Sequence, residues 1–318
     1  MSKQRSLLIW FCIILIAGWG CQPKPEPVNG APGIGDPYYP ELGNGGYDVQ
    51  NYTISLDVDP IGNTLNGSTT IYATATVRLR SFNLDFHALT VDSVLVDNVP
   101  AEFTREGDEM TITPSKTLES NIPFSVIIQY HGTPELVSPE AIPIQMGWSH
   151  ARDGTINVWG EPIAAATWFP NNNHPRDKAT YRFEITVPNP WIVAATGSLA
   201  ETKENGDKTT FIWEMEQPMA SYLASVNIDQ YEFVTEAGPN GVILRSFFPP
   251  DYPASLRSNF NILPAALDFF DDLFGPYPFK EYGVVISDTT PPCDRGSTAL
   301  ETRPFRFTVL VVLWLLNM

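Results

Sequence analysis

Disulfide chemistry is almost excluded. Of three cysteines in 318 residues, Cys12 and Cys21 stand near the N-terminus, leaving Cys293 alone in the rest of the chain. No disulfide can join two residues of the folded part. Cys293, in Pro291-Pro292-Cys293-Asp294, reads as a loop thiol and becomes a nucleophile only if a histidine approaches it. There are four histidines, His87, His131, His150 and His174; no two stand at i, i+4, and HExxH occurs nowhere. Local motifs therefore assemble no tetrahedral zinc site, and each histidine reads as a strand or loop residue. A G-x-S-x-G elbow and a phosphate loop are missing as well. Lys and Arg number 19 against 36 Asp and Glu, a net charge of −17. No basic surplus exists to neutralise phosphates, which excludes nucleic acid as a partner. Neither apolar run, 7–17 or 307–316, reaches the roughly 20 residues that span a bilayer.

What is present begins with an export signal. Lys3 and Arg5 precede the apolar run 7–17, and Gly18-Trp19-Gly20-Cys21 follows. This is the pattern of a secretory signal peptide over 1–21. A cysteine directly after a small residue resembles a bacterial lipoprotein cleavage site, with Cys21 as the lipidated residue. Plain secretion and an uncleaved anchor are the alternatives. The expected location is the cell envelope, with the membrane reached through the N-terminus. Residues 22–46 are rich in proline and glycine, have no apolar periodicity, and read as a tether.

From Tyr47 the pattern changes to short β-branched and aromatic runs punctuated by Gly, Pro, Asn and Asp. They are 52–58, 69–77, 90–96, 110–113, 124–130, 181–187, 192–196, 209–215, 222–227 and 242–248. The spacing predicts an antiparallel β-sandwich or saddle over 47–237. Hydrophobic residues make up 43% of the chain, enough for a sizeable core. Beyond 238 the character switches. Phe260, Leu263, Leu267, Phe270 and Phe274 recur at helical steps, Pro264 marks a kink or a late start, and Gly275-Pro276 ends the helix. A β-type run over 282–287 then starts an α/β unit. The apolar run 307–316, FTVLVVLWLL, carries no charge and is aggregation-prone if exposed.

The stretch 160–181 reads GEPIAAATWFPNNNHPRDKATY. It predicts a strand, a tight irregular loop and another strand, with Asn-Asn-Asn-His-Pro as turn chemistry. Glu161 sits at the loop entry between a glycine and a proline. Glu301 lies in Thr298-Ala299-Leu300-Glu301-Thr302. Both carboxylates occupy irregular segments, where function concentrates; two solvated glutamates are the plain alternative.

Glu161-Pro162 with Trp168-Phe169-Pro170, then Asp177-Lys178-Ala179-Thr180-Tyr181, resembles the aminopeptidase N family of zinc metallopeptidases. Phe274-Gly275-Pro276-Tyr277-Pro278-Phe279 followed by Tyr282 resembles that family's entry to its catalytic domain. Residues 298–302 are similar to its Gly-Ala-Met-Glu-Asn motif, with Thr298 in place of Gly and Thr302 in place of Asn. The resemblance covers 47–302. It implies a saddle-like β domain (47–237) packed on the start of a thermolysin-like α/β catalytic domain (238–302), with 303–318 unlike the family. It further implies that Glu161 and Glu301 grip the free α-amine of a peptide, since charge-assisted hydrogen bonds are the strong ones. The backbone at Thr298 and Ala299 would hold the peptide as an added strand. Zinc would activate the attacking water in the full-length family.

Because no zinc motif follows, the expectation is a truncated aminopeptidase N-like protein, inactive alone, with no bound metal. Exposed carboxylates contribute about 0–1 kcal/mol each to an ion pair, whereas millimolar affinity needs about 4 kcal/mol. Useful peptide binding by this chain alone is therefore not expected. A reading from another class is a non-catalytic surface lipoprotein whose β domain binds or scaffolds. A third has zinc and base supplied by a separate chain.

Overall fold

The computed structural model describes residues 24–40, 42–138 and 145–287. It is mainly β. The central element is an eight-stranded sheet in the order Ser198–Asn205, Lys208–Met219, Ala179–Pro188, Tyr47–Asp59, Thr64–Ala75, Pro123–Gly132, Thr90–Val96 and Val99–Pro100. Its neighbours run antiparallel except for one pair. Ala179–Pro188 lies parallel to Tyr47–Asp59, with Phe183 beside Ile54 and Ile185 beside Leu56. Alternation makes these strands: along Ala179–Pro188 every second side chain from Ala179 is buried and the intervening ones are half-buried.

Two four-stranded sheets cover this one. The first runs Val28–Asn29, Leu79–Asp85, Glu109–Thr113, Glu102–Glu106; the second runs Gly147–His150, Ile156–Trp159, Val226–Asp229, Ile192–Ala195. Between the layers lies a continuous core. It includes an aromatic column in which Tyr52 stacks on Tyr181 at 5.0 Å and Tyr181 on Phe183 at 5.8 Å. Trp168 and Phe169 pack into the same column, 4.6 Å apart and edge to face.

The Gly/Pro-rich segment expected to be a free tether departs from that expectation. Lys24 pairs with Glu119 at 2.9 Å, Val28–Asn29 lies parallel to Leu79–Ser81, and Gly30 N donates to Ser81 O at 2.8 Å. Arg80 also donates to the Pro27 carbonyl at 2.9 Å. Proline and glycine here do not loosen the chain. They let an irregular arm satisfy its backbone against the edge of Leu79–Asp85, and a Cβ on Gly30 would sit 3.0 Å from the Phe82 backbone.

A three-stranded sheet follows, Glu232–Ala237, Ile243–Phe248, Glu281–Val285, the last two parallel. The sheet change therefore falls before Glu232, several residues ahead of the expected 237/238 boundary. Every residue of Glu232–Ala237 is exposed, so no alternation announced it. One face of this sheet joins the main core through Phe247 and Val285. The other face, through Leu244, Phe248 and Val284, meets the helical segment. Pro264 falls in the first turn of the Leu263–Phe274 helix, a late start rather than a kink. The helical stripe is only half used: Leu267 is buried, while Phe270 and Phe274 are 40% and 55% exposed.

Candidate functional site

Glu161 stands at the exit of the Ile156–Trp159 strand, and the Glu161-Pro162 peptide is cis. The turn continues into a short 3-10 helix, Ala164–Thr167, whose residues are all buried. Glycine is required just before the carboxylate. A Cβ on Gly160 would lie 2.1 Å from the Tyr222 carbonyl oxygen, a contact no side chain accepts. Gly160 O then accepts the Ala164 N–H at 2.7 Å, and Ala166 O accepts the His87 N–H at 2.8 Å.

The result is an exposed carboxylate on a turn whose following residues, 164–174, are all buried. Among the described residues Glu161 has no ion-pair partner. Tyr222 is its neighbour. Burial, and after it the negative charge of Glu161, push the Tyr222 phenol up from its ordinary value.

Beneath the turn lies a buried polar cluster. Asn171, Asn172, Asn173 and His174, expected as turn chemistry, are at most 6% exposed. Asn173 Nδ2 donates to Ile163 O at 2.6 Å, and Asn173 N donates to Asp85 Oδ2 at 2.9 Å. Asn44 Nδ2 donates to the same Asp85 oxygen at 3.1 Å. Asn172 Nδ2 donates to Asp177 Oδ2, and Val49 N donates to Asp177 Oδ1 at 3.1 Å. His174 Nδ1 accepts the Arg176 N–H at 3.1 Å, which leaves Nε2 to face Asp36 at 3.3 Å.

Among the described residues no cation pairs with Asp85 or Asp177. Burial pushes both carboxyls up, each to about 7, against the lowering effect of the hydrogen bonds they accept. Asp36 moves the other way, held below its usual value chiefly by the Tyr38 and Tyr39 N–H groups.

The remaining histidines are engaged in structure. His87 pairs with Asp108 at 2.7 Å, His131 with Asp92 at 2.8 Å, and His150 Nε2 meets Pro60 O at 2.7 Å. Among the described residues no group of three or more His, Cys, Asp or Glu side chains is placed to hold a metal. That donor set does not fit a zinc centre. Glu301, Thr298, Ala299, Cys21 and Cys293 lie outside the described residues, so the structure places Glu161 alone of the expected clamp. Sequence reasoning missed the burial of 171–174. Three successive asparagines before a His-Pro carry the same signal whether the turn is solvated or pinned.

A layered β domain presenting a lone carboxylate on a buried turn, joined to the start of an α/β unit, defines a class that the comparisons identify. The Peptidase M1 N-terminal domain matches residues 48–223, more than half of the sequence. The chain belongs to that family. It is 30% identical over 145 residues to the glutamyl aminopeptidase of Rattus norvegicus, which covers 44% of this chain and 15% of the relative. It is 22% identical over 126 residues to aminopeptidase M1 of Arabidopsis thaliana, covering 39% and 14%. The chain thus spans about one-seventh of the length of these curated relatives. The M1 zinc metallopeptidase from Deinococcus radiodurans superposes with a TM-score of 0.73 at 27% identity, over 81% of this chain and 60% of that one. A mutant of that enzyme bound to a Tyr-ser-ala substrate superposes at 0.74 with 26% identity and the same coverage.

Proposed function

We propose that this chain carries the amine-recognising part of an M1 zinc aminopeptidase. Glu161 receives the α-ammonium of a peptide, Glu301 is the second carboxylate of the clamp, and the backbone at Thr298 and Ala299 pairs with the peptide as an added strand. The observation that carries the reading is the exposed, unpaired Glu161 carboxylate on a turn otherwise locked into the core. An ammonium is its natural complement, because a charged donor and a charged acceptor make the stronger hydrogen bonds. A related enzyme bound to Tyr-ser-ala supports peptides as the substrate class.

Zinc, in the family's enzymes, supplies the activated water. In this reading the part of the described residues is to bind and orient the N-terminus of a peptide. The chain is proposed to work at the cell envelope, anchored through Cys21, on the strength of the sequence over 1–21.

Titrating the protein with Ala-Ala-Ala and with its N-acetylated form, followed by NMR, tests the reading. The free amine should shift the signals of 160–164 and Tyr222 while the acetylated peptide leaves them in place. Equal shifts with both peptides would overturn it and favour a β domain with a different binding role.

A further inference from the structure

The Glu161 turn is joined to the N-terminal arm by an unbroken run of hydrogen bonds. Asn44, at the end of the arm, donates through Nδ2 to Asp85 Oδ2 at 3.1 Å. The same oxygen accepts the Asn173 N–H at 2.9 Å. Asn173 then donates through Nδ2 to the Ile163 carbonyl at 2.6 Å, two residues from Glu161. Its remaining amide oxygen accepts from Ser221 Oγ at 3.4 Å. Ser221 immediately precedes Tyr222, whose carbonyl presses on Gly160. Asp85 is also tied to the loop by its backbone: Asp85 N donates to Asn171 O at 2.8 Å and Asn171 N donates to Asp85 O at 3.1 Å.

The side chains of the run are buried, and only its last partner, Ile163, is half-buried. Asn44 is 1%, Asp85 7%, Asn173 6% and Ser221 1% exposed. A buried amide or carboxylate that loses its partner is left desolvated, so each member holds the next in one geometry. Asn173 uses its side-chain amide on both sides of the Glu161 turn, through Ile163 on one and Ser221 on the other.

We propose that Asn173 is a positioning residue for Glu161, and that the N-terminal arm, through Asn44 and Asp85, sets the orientation Asn173 imposes. The positioning role rests on these contacts and on no bound peptide. Its consequence for amine binding rests on the reading of Glu161 given above. The groups that face Asp85 are Asn44 from the arm, Asn173 from the loop, and Glu109 and Asp108 from the neighbouring hairpin.

Hydrogen–deuterium exchange on the full chain tests this without any peptide. In Asn173→Asp, an isosteric change that removes the Nδ2 donor, the amides of 161–168 should exchange about fivefold to tenfold faster, the effect of one lost hydrogen bond. The central pairs, Ala179–Pro188 with Tyr47–Asp59, should keep their protection. Asn44→Ala should produce the same local change at a distance.

Asp85→Leu should also loosen 161–168, whereas Asp85→Asn, which keeps the accepting oxygen, should restore the native rate. A merely structural Asp85 would show no such rescue, or would loosen the whole sheet. Unchanged exchange over 161–168 in both Asn173→Asp and Asn44→Ala would overturn the proposal. So would equal acceleration everywhere. The predicted exchange changes together with no preference of the wild-type protein for a free amine over an acetylated one would sink the reading of Glu161 and leave the positioning role standing.

Discussion

Asn172 and Asn44 close a reciprocal pair of hydrogen bonds across 128 positions of sequence. Asn44 N donates to Asn172 Oδ1 at 2.6 Å, and Asn172 Nδ2 donates to Asn44 O at 3.1 Å. Asn172 Nδ2 also reaches Asp177, and Asn172 N donates to the Tyr52 hydroxyl at 3.0 Å. One residue, through its side chain and its backbone N–H, therefore fastens the arm, the loop and the central sheet together. Asn172→Asp keeps the shape, removes the donors and sets a second carboxylate against Asp177. It should lower unfolding free energy by about 3 kcal/mol, read from the urea midpoint. A midpoint within the error of the wild-type value would show that the pair contributes nothing.

Asp85 supplies a pH dependence of defined sign. Its folded carboxyl titrates near 7 because burial disfavours the charge, while an unfolded one titrates near its ordinary value. The folded state therefore holds the proton more tightly. The contribution of Asp85 is most favourable at acid pH, is lost as pH rises from about 4 to about 7, and is flat above that. Asp85→Asn keeps the accepting oxygen and removes the titration. Its stability relative to wild type should rise across that window, by up to about 4 kcal/mol. Parallel stability–pH curves for the two proteins would contradict this.

The sheets were legible in the sequence wherever burial was one-sided. Residues 90–96 come out as read, and 181–187 widens only to Ala179–Pro188. Two of the strands that escaped lack alternation: Ser198–Asn205 is mostly exposed, and Ile156–Trp159 is buried on both faces apart from Trp159. The run read at 222–227 is instead a 3-10 turn, Ser221–Leu223, with a strand only from Val226. The arm escaped for a different reason. Its glycines and prolines signal irregular backbone, and irregular backbone docks as readily as it floats when an open strand edge offers partners. The glycine and proline beside Glu161 marked it only as a carboxylate in an irregular segment, and the role expected of it came from the resemblance to a family. The asparagines beneath it gave no local sign of the carboxylates, Asp85 and Asp177, that they would meet.

At the junction between the sandwich and the three-stranded sheet, Arg245 is held twice by Glu281, both at 3.1 Å. Its guanidinium also lies over Trp213 at 5.6 Å. The two side chains are 11% and 10% exposed. Glu281→Ala leaves the cation buried and unpaired, and should destabilise by about 3 kcal/mol. Replacing both residues together, Arg245→Met with Glu281→Leu, should cost markedly less. Equal losses in chemical denaturation would mean that packing, rather than charge pairing, matters there.

Anchoring through Cys21 is open to direct labelling. A chain expressed in bacteria with residues 1–21 intact should incorporate an alkyne-tagged fatty acid and fractionate with membranes. Cys21→Ser should lose the label. Label retained in the variant, or never taken up by either chain, would dispose of the lipoprotein reading.

Recognition of a free amine by Glu161 is tested most directly by the affinity of wild type and Glu161→Gln for Ala-Ala-Ala, measured in one NMR titration series. The substitution leaves the turn, Gly160 and the cluster beneath it intact and removes only the charge. Binding to wild type should be weaker than about 1 mM, because an exposed pair contributes roughly 1 kcal/mol or less. It should still be selective for the free amine, and Glu161→Gln should abolish that selectivity. An unchanged titration in Glu161→Gln would contradict the role assigned to this carboxylate.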